Sequence, residues 1–193
     1  MSNGTKVKKR DGRIESLDLE KMHKMVEEAC KGLAGVSASQ VEMTSGIQLY
    51  DGITTEQIQE ILIKSASDLI DLDHPNYQYV AARLLLFAVR KSLYGRMREH
   101  PTFENHIVHL CAVDLYDKEI FNKYSQEEIH KAGSWIDHDR DMMFTYAGLR
   151  QVVDKYLVQD RSTGRVYETP QFMYMMIALT IFAEYPKERR MNY

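Results

Sequence analysis

Cysteine is scarce in this chain: 193 residues include only Cys30 and Cys111, with no CxxC pair. That excludes a zinc ribbon and a disulfide framework, and it points to a reduced, cytoplasmic setting. An excess of one charge is also lacking. A net charge of -3 gives no reason to expect general nucleic-acid binding. No apolar run reaches the roughly 18 residues of a membrane span. The first residues are charged and lack the apolar segment of a signal peptide. The sequence contains no GxSxG, no HExxH, no GxxxxGK[ST] loop and no paired acids arranged around a nucleophile. By itself it does not read as a complete enzyme.

What is present suffices for a packed core. The hydrophobic share is 44%, and the length fits one large domain or two small ones. Eleven Met and twelve Tyr are many for this length, and Met at helical spacing reads first as core filler.

The stretch KVKKRDGRIESLDLEKMH, residues 6–23, concentrates the positive charge. Up to residue 17, Lys6, Lys8, Lys9, Arg10 and Arg13 face only Asp11 and Glu15. Residues 6–10 and 13–17 read as two strands, with Asp11-Gly12 as a two-residue turn whose positions both need positive φ. Asp18 is placed to cap a helix with apolar positions Leu19, Met22, Val26, Ala29 and Leu33, stopped near Gly32. A second helix is expected over 37–48. A third starts at Thr54 or Thr55, where Thr54 and Gln57 have capping-box spacing. Pro75 opens a fourth, over 76–97, apolar nearly all round at its centre. A boundary is expected near 98–102, giving domains 1–97 and 98–193. Beyond it, helices are expected over 103–115, from the Ser125/Glu128 capping box, over 139–154, and from Pro170. A hairpin is expected around RSTG, residues 161–164. The last helix, QFMYMMIALTIFAEY, is apolar over more than half its circumference and asks for a large partner surface.

The candidates for chemistry are few. His106 and His109 could share a helix face, with Glu104 as the one close carboxylate, but exposed polar residues are the simpler reading. Asp137, His138, Asp139, Arg140 and Asp141 could hold a metal, but more simply cap a helix start. The opening hairpin offers more. Phosphates are bound by backbone N–H groups, helix N-termini and Lys or Arg. Lys9 and Arg10 lie close to Arg13 in the hairpin, Thr55 sits at a helix N-terminus, and Lys21 and Lys91 could converge on the same end. Glu15 is the acceptor suited to a base or ribose. The alternative is a solvated basic hairpin.

The blocks VKKRDGRIESLDLEKMHKMVEEACKGL, YDGITTEQIQEILIKSASDLI and NYQYVAARLLLFAVRK resemble an ATP-cone. This is the regulatory nucleotide-binding domain of many ribonucleotide reductase large subunits. IDHDRDMMFTYAGL, KYLVQDRSTGRVYETPQFMYM and YPKERRMNY resemble the start of the catalytic large subunit of aerobic, diiron-dependent class I reductases, in the pattern of enterobacterial and T4-like phage forms. The resemblance implies a mainly α (α+β) fold: a four-helix bundle capped by a small antiparallel sheet, then the helical N-terminal part of the ten-stranded α/β-barrel subunit with one β-hairpin. It implies ATP or dATP as effector, with Mg, and no catalytic cofactor held by this chain itself. The family pattern falls on Val7, Lys9, Arg10, Glu15, Lys21, Met22, Thr55, Ile58 and Lys91. Lys9, Arg10, Lys21, Thr55 and Lys91 would meet phosphates, Glu15 the adenosine side, and Val7, Met22 and Ile58 would form apolar walls.

Two departures stand out. Where dATP-inhibited relatives carry two His near the nucleotide, this chain has Gln59 and Ala88. That bears on dATP inhibition rather than on binding itself. The family's catalytic cysteines and radical-relay tyrosines all lie beyond the point matching Tyr193. The expectation is therefore an inactive chain, either a truncation or one natural piece of a split large subunit. Its implied partners are the remainder of that subunit, the diiron small subunit and copies within a homo-oligomeric holoenzyme, with no nucleic acid and no membrane. Two other readings compete. One is a transcriptional repressor, which would pair the cone with a four-Cys ribbon that is absent here. The other is a vestigial cone serving only as an oligomer contact, for which His23, Ser39, Glu42 and Met43 resemble the region that touches the small subunit.

Overall fold

The computed structural model describes residues 5–9, 11–46 and 48–191. The chain divides into two compact units. The first runs to Ala88 and includes Met142–Arg150. The second comprises Val89–Asp141 and the chain from Gln151 on. The architecture is mainly helical with two small sheets. None of the helices in the described residues is long and apolar enough to cross a membrane.

In the first unit, β1 (Lys6–Lys8) pairs antiparallel with β2 (Ile14–Ser16) and parallel with β3 (Ile53–Thr54). The sheet order is β2-β1-β3, so the sheet is mixed rather than purely antiparallel. The hairpin loop also differs from expectation. Lys9 N–H donates to the Arg13 carbonyl and Gly12 N–H to the Lys9 carbonyl, while Gly12 alone of the Asp11-Gly12 pair has positive φ, at 84°. That is the bonding of a longer loop with a left-handed glycine before the second strand, not of a two-residue turn. Arg10 lies outside the described residues.

Asp18 accepts the Lys21 N–H and starts α1 (Leu19–Cys30). At its other end, Arg83 Nη1 donates to the Ala29 and Lys31 carbonyls, two of the acceptors a helix C-terminus leaves open. α2 (Ala38–Gly46) is tied at its start by Tyr77, whose buried hydroxyl accepts the Ser37 N–H and donates to Gln40. α3 (Thr55–Asp68) begins with the expected capping box of Thr54 and Gln57. α4 (Tyr77–Tyr94) is the heavily buried helix, with Val80, Ala81, Leu84, Leu85, Leu86 and Phe87 all inside. It belongs to the first unit through Ala88 and to the second from Val89.

The second unit contains α5 (Phe103–Ala112), a short α6 (Ile120–Lys123) and α7 (Gln126–Ser134), the last opened by the Ser125/Glu128 capping box. The expected single helix over 139–154 is not formed. Instead a 3-10 turn covers His138–Met143, α8 covers Tyr146–Gln151, and a π-helical turn follows over Val152–Tyr156. A hairpin of β4 (Gln159–Asp160) and β5 (Arg165–Val166) flanks RSTG as expected. α9 (Pro170–Phe182) starts with proline in its first turn and buries Phe172, Met173 and Leu179. α10 (Lys187–Arg190) follows. Phe103, Ile107, Tyr124, Ile129 and Phe172 are at the centre of this unit's core.

Candidate functional site

The basic hairpin meets a helix N-terminus through strand register. β1 and β3 run parallel with Lys8 opposite Thr54. Thr54 is the residue before α3, so the chain leaving β1 at Lys9 runs beside the first turn of that helix. The first amides of a helix lack intrahelical acceptors and carry the positive end of its dipole. A half-buried lysine beside such a turn is an arrangement that favours an anion. β3 is held in place from the other side. Lys6 N–H donates to Asp51 Oδ1 at 2.8 Å, and Gly52 N–H to the Lys6 carbonyl at 2.9 Å.

Glu15, on β2, lies directly opposite Val7 on β1. Its carboxylate takes Lys9 Nζ at 3.3 Å and Arg13 Nη1 at 3.3 Å, while Arg13 also pairs with Asp11 at 2.7 Å. The hydrogen bonds from Arg13 hold the Asp11 carboxyl below its ordinary value, and those to Asp11 raise the guanidinium in turn. Val7 and Ile58 are buried, and Met22 is half-buried. Thr55 Oγ1 lies 3.3 Å from Glu56 Oε2 and donates to it.

Of the nine residues in the family pattern, Val7, Lys9, Glu15, Thr55 and Ile58 thus lie on or beside the sheet and the start of α3. Lys21 and Met22 stand on the first turns of α1, which leaves the Lys6 end of the sheet rather than the Lys8 end. Among the described residues, no side-chain hydrogen bond or ion pair joins Lys21 or Met22 to Lys9 or Thr55. Lys91 falls on the last turn of α4, in the second unit. Gln59, one turn beyond Thr55, is buried, and its carboxamide nitrogen has no hydrogen-bond partner among the described residues.

The second unit holds a polar cluster that helical periodicity did not reveal. His100 and His138 stack face to face, with centroids 3.8 Å apart and planes 3° apart. His138 meets the edge of Phe172, and His106 stacks on the same ring at 4.2 Å. His106 Nε2 lies 3.3 Å from the Tyr116 hydroxyl, which donates to buried Glu168. Arg90 bridges the His138 carbonyl at 2.6 Å and Asp141 at 3.3 Å, and Gln171 donates to the other Asp141 oxygen at 2.9 Å. Burial pushes His100 down to about 4, His106 to about 4 and His138 to about 3, with the stacked ring and Arg90 adding to the effect at His138. His106 is thus a core histidine, His100 and His138 are half-buried, and burial disfavours the cationic form of all three. His130, not His109, pairs with Glu104, at 3.0 Å. Asp137 accepts the Asp139 N–H at 3.0 Å, the capping role expected of that run. No three His, Cys, Asp or Glu side chains among the described residues converge as a metal site.

Residues 5–92 match the family described as the ATP cone domain, and residues 142–193 match the ribonucleotide reductase all-alpha domain. Among curated proteins, the chain is 46% identical over 193 residues to ribonucleoside-diphosphate reductase 1 subunit alpha of Escherichia coli (strain K12), covering all of this chain and 25% of that protein. It is 45% identical over 193 residues to subunit alpha of Haemophilus influenzae, again covering all of this chain and 25% of the relative. It is 43% identical over 183 residues to subunit alpha of Enterobacteria phage T4, covering 94% of this chain and 24% of the relative. The chain therefore spans about a quarter of the length of these relatives. It carries an ATP cone followed by the all-alpha domain of ribonucleotide reductase, and corresponds to the N-terminal part of the alpha subunits of enterobacterial and T4 type.

Proposed function

We propose that this chain is the effector-sensing N-terminal part of a ribonucleoside-diphosphate reductase large subunit, serving deoxyribonucleotide synthesis. It binds ATP or dATP on the first unit. The observation that carries this reading is the parallel pairing of Lys8 with Thr54, which sets Lys9 beside the N-terminus of α3. Lys9, Arg10, Lys21 and Thr55 would neutralise the phosphates on that unit, together with Mg. Glu15 would exchange its lysine and arginine partners for the ribose or base. Val7, Met22 and Ile58 would line the apolar side. A domain boundary at residues 97–98 goes with this reading.

The chemistry of reduction belongs to the remaining polypeptide and the diiron small subunit in a cytoplasmic, oligomeric holoenzyme. Neither cysteine of this chain suits redox work. Cys111 is buried, and burial pushes the Cys30 thiol up to about 11. The second unit offers a docking surface for the rest of the subunit: a groove of about 590 Å³ whose lining includes Leu115, Ile120, Met173, Met176 and Leu179.

Calorimetric titration of the chain with ATP and with dATP, beside a Lys9→Ala/Arg10→Ala double variant, tests the sensor. Saturable binding lost in the variant supports it. A folded chain that binds neither nucleotide sinks it. That result would favour a second reading, a vestigial cone that serves only as a structural or oligomer contact. The ion pairs that already occupy Glu15 speak for this second reading.

A further inference from the structure

His23 lies on α1 between two carboxylates, one on its own helix and one on α2. Its Nε2 is 3.1 Å from Glu27 Oε1, and its Nδ1 is 2.9 Å from Glu42 Oε1. A neutral imidazole carries one N–H, so it can donate to only one of these oxygens. Its other nitrogen would then press a lone pair against a carboxylate. Only the imidazolium has a proton for each. We propose that His23 is a proton-gated clasp between α1 and α2, closed while the ring is cationic and released when it loses its proton.

The surroundings suit a gate. The charged groups acting on the ring are Glu42 and Glu27. Glu20 and Lys24, on the same helix, neutralise each other at 2.6 Å. From α4, the Arg83 guanidinium is committed to the Ala29 and Lys31 carbonyls, and at the end of α1 burial raises the Cys30 thiol to about 11, so that it adds no charge at neutral pH. The ring is 42% exposed and Glu42 is 21% exposed, so protons exchange freely while the pair remains partly sheltered. The hydrogen bond to Glu42 raises the ring's proton affinity above the ordinary histidine value. A raised folded-state value means that the clasp's stabilisation is complete below the unfolded value near 6.5 and is lost as pH rises through the folded value. Lys21 and Met22 directly precede His23, so the clasp sets how firmly their helix is held. The clasp itself does not depend on any nucleotide being bound.

The test is an NMR titration of the histidine rings in the full 193-residue chain, with the His23 signal assigned by its loss in His23→Gln. Hydrogen-exchange protection factors of the α1 and α2 amides are followed over the same pH range. We expect His23 to titrate above 6.5 and Glu42→Gln to bring it back down. Protection of both helices should fall as the native ring titrates and stay level in His23→Gln. A native midpoint at or below 6.5, or protection that ignores the titration, overturns the clasp. If a variant fails to fold, through-bond assignment of the His23 ring from its own backbone resonances gives the native midpoint, and the native protection profile still decides.

Discussion

Arg190 grips Glu128 across the second unit with its guanidinium edge. Nε and Nη2 reach Oε1 at 3.0 and 2.8 Å, and Nη2 reaches Oε2 at 2.9 Å. The same carboxylate accepts both the backbone N–H and the hydroxyl of Ser125, so it caps α7 and anchors α10 at once. The guanidinium also lies over the Tyr124 ring, at 4.2 Å. Side-chain exposure of 8% and 10% makes this a nearly dry ion pair. Breaking such a pair from one side leaves a charge without its partner, a loss of roughly 3 kcal/mol. Arg190→Met should therefore lower stability by about that amount in denaturant unfolding, and Glu128→Gln by somewhat less because its cap to Ser125 survives. Burial pushes the Glu128 carboxyl up, but the bonds from Ser125 and Arg190 outweigh it and leave the group lowered. Its stabilisation is thus present above the unfolded carboxylate value of 4.5 and fades as pH falls through the folded value.

The buried imidazoles of the second unit predict a separate acid response. His100, His106 and His138 have folded values near 4, 4 and 3, below the ordinary 6.5, so the unfolded chain binds the protons. Stability is full above 6.5 and declines as pH falls towards those values. The groups around them worsen the effect. Arg90 adds positive charge beside His100 and His138, and His109 adds it beside His106, while Asp137 and Asp139 offset little. Thermal melts from pH 7 to pH 4 should show a steep loss of melting temperature. In His138→Phe, which keeps a ring against His100 and Phe172, the slope should be shallower. An unchanged slope would show that other groups carry the acid response.

That cluster also marks where sequence reading stops. Asp18, Thr54 and Ser125 announced their helices because a cap is a local event, decided within three or four residues. The RSTG hairpin and the Pro170 start were legible for the same reason. The two-residue β3 was not, because its strand character comes from pairing with residues 46 positions earlier in the chain. Residues 139–154 carry helical spacing, yet Asp141 turns inward to Arg90 and Gln171, and the segment breaks into a 3-10 turn, the short α8 and a π-helical turn. The candidate site was legible in its charges and its cap. Its geometry was not, because the register of a parallel pair is invisible in either strand alone. His100 and His138 are 38 residues apart, and no local spacing foretells their stack.

Gly12 should tolerate substitution poorly. Its φ of 84° is a conformation that disfavours any Cβ, although the space around it is open. Gly12→Ala is expected to cost about 1 kcal/mol through the backbone rather than through a clash. Because Gly12 N–H bonds the Lys9 carbonyl, the same change should loosen the lysine's seat and, on the proposed function, weaken ATP binding. Calorimetry with ATP reads the second effect, and denaturant unfolding the first.

Thr54 joins the strand to the helix, and its replacement separates two roles. Thr54→Ala removes the acceptor for the Gln57 N–H, a loss of about 1 kcal/mol typical of a capping residue. Thr54→Ser keeps the oxygen and should stay near the native stability. If the α3 N-terminus also presents its amides to phosphate, the alanine variant should bind ATP more weakly even where it is fully folded, while serine should not. Equal ATP affinity in all three proteins would detach the cap from the anion site.

α9 should be adhesive on its open side. The helix buries Phe172, Met173 and Leu179, yet Ile177 and Ile181, four residues apart and so on one face, are 46% and 62% exposed. Tyr174 and Tyr185 extend the same apolar character, and the groove beside the helix is lined by Ile177 and Ile181 as well as by Met176 and Leu179. A strip of this kind on a water-facing helix promotes association. Sedimentation velocity over a concentration series should show the chain self-associating in the absence of a partner. An Ile177→Lys/Ile181→Lys variant should sediment as a monomer with unchanged helix content by circular dichroism, because neither side chain belongs to the core. If the native chain is monomeric at every concentration, the exposed strip is not adhesive, and the proposed docking surface would be reduced to the groove's floor around Met173 and Leu179.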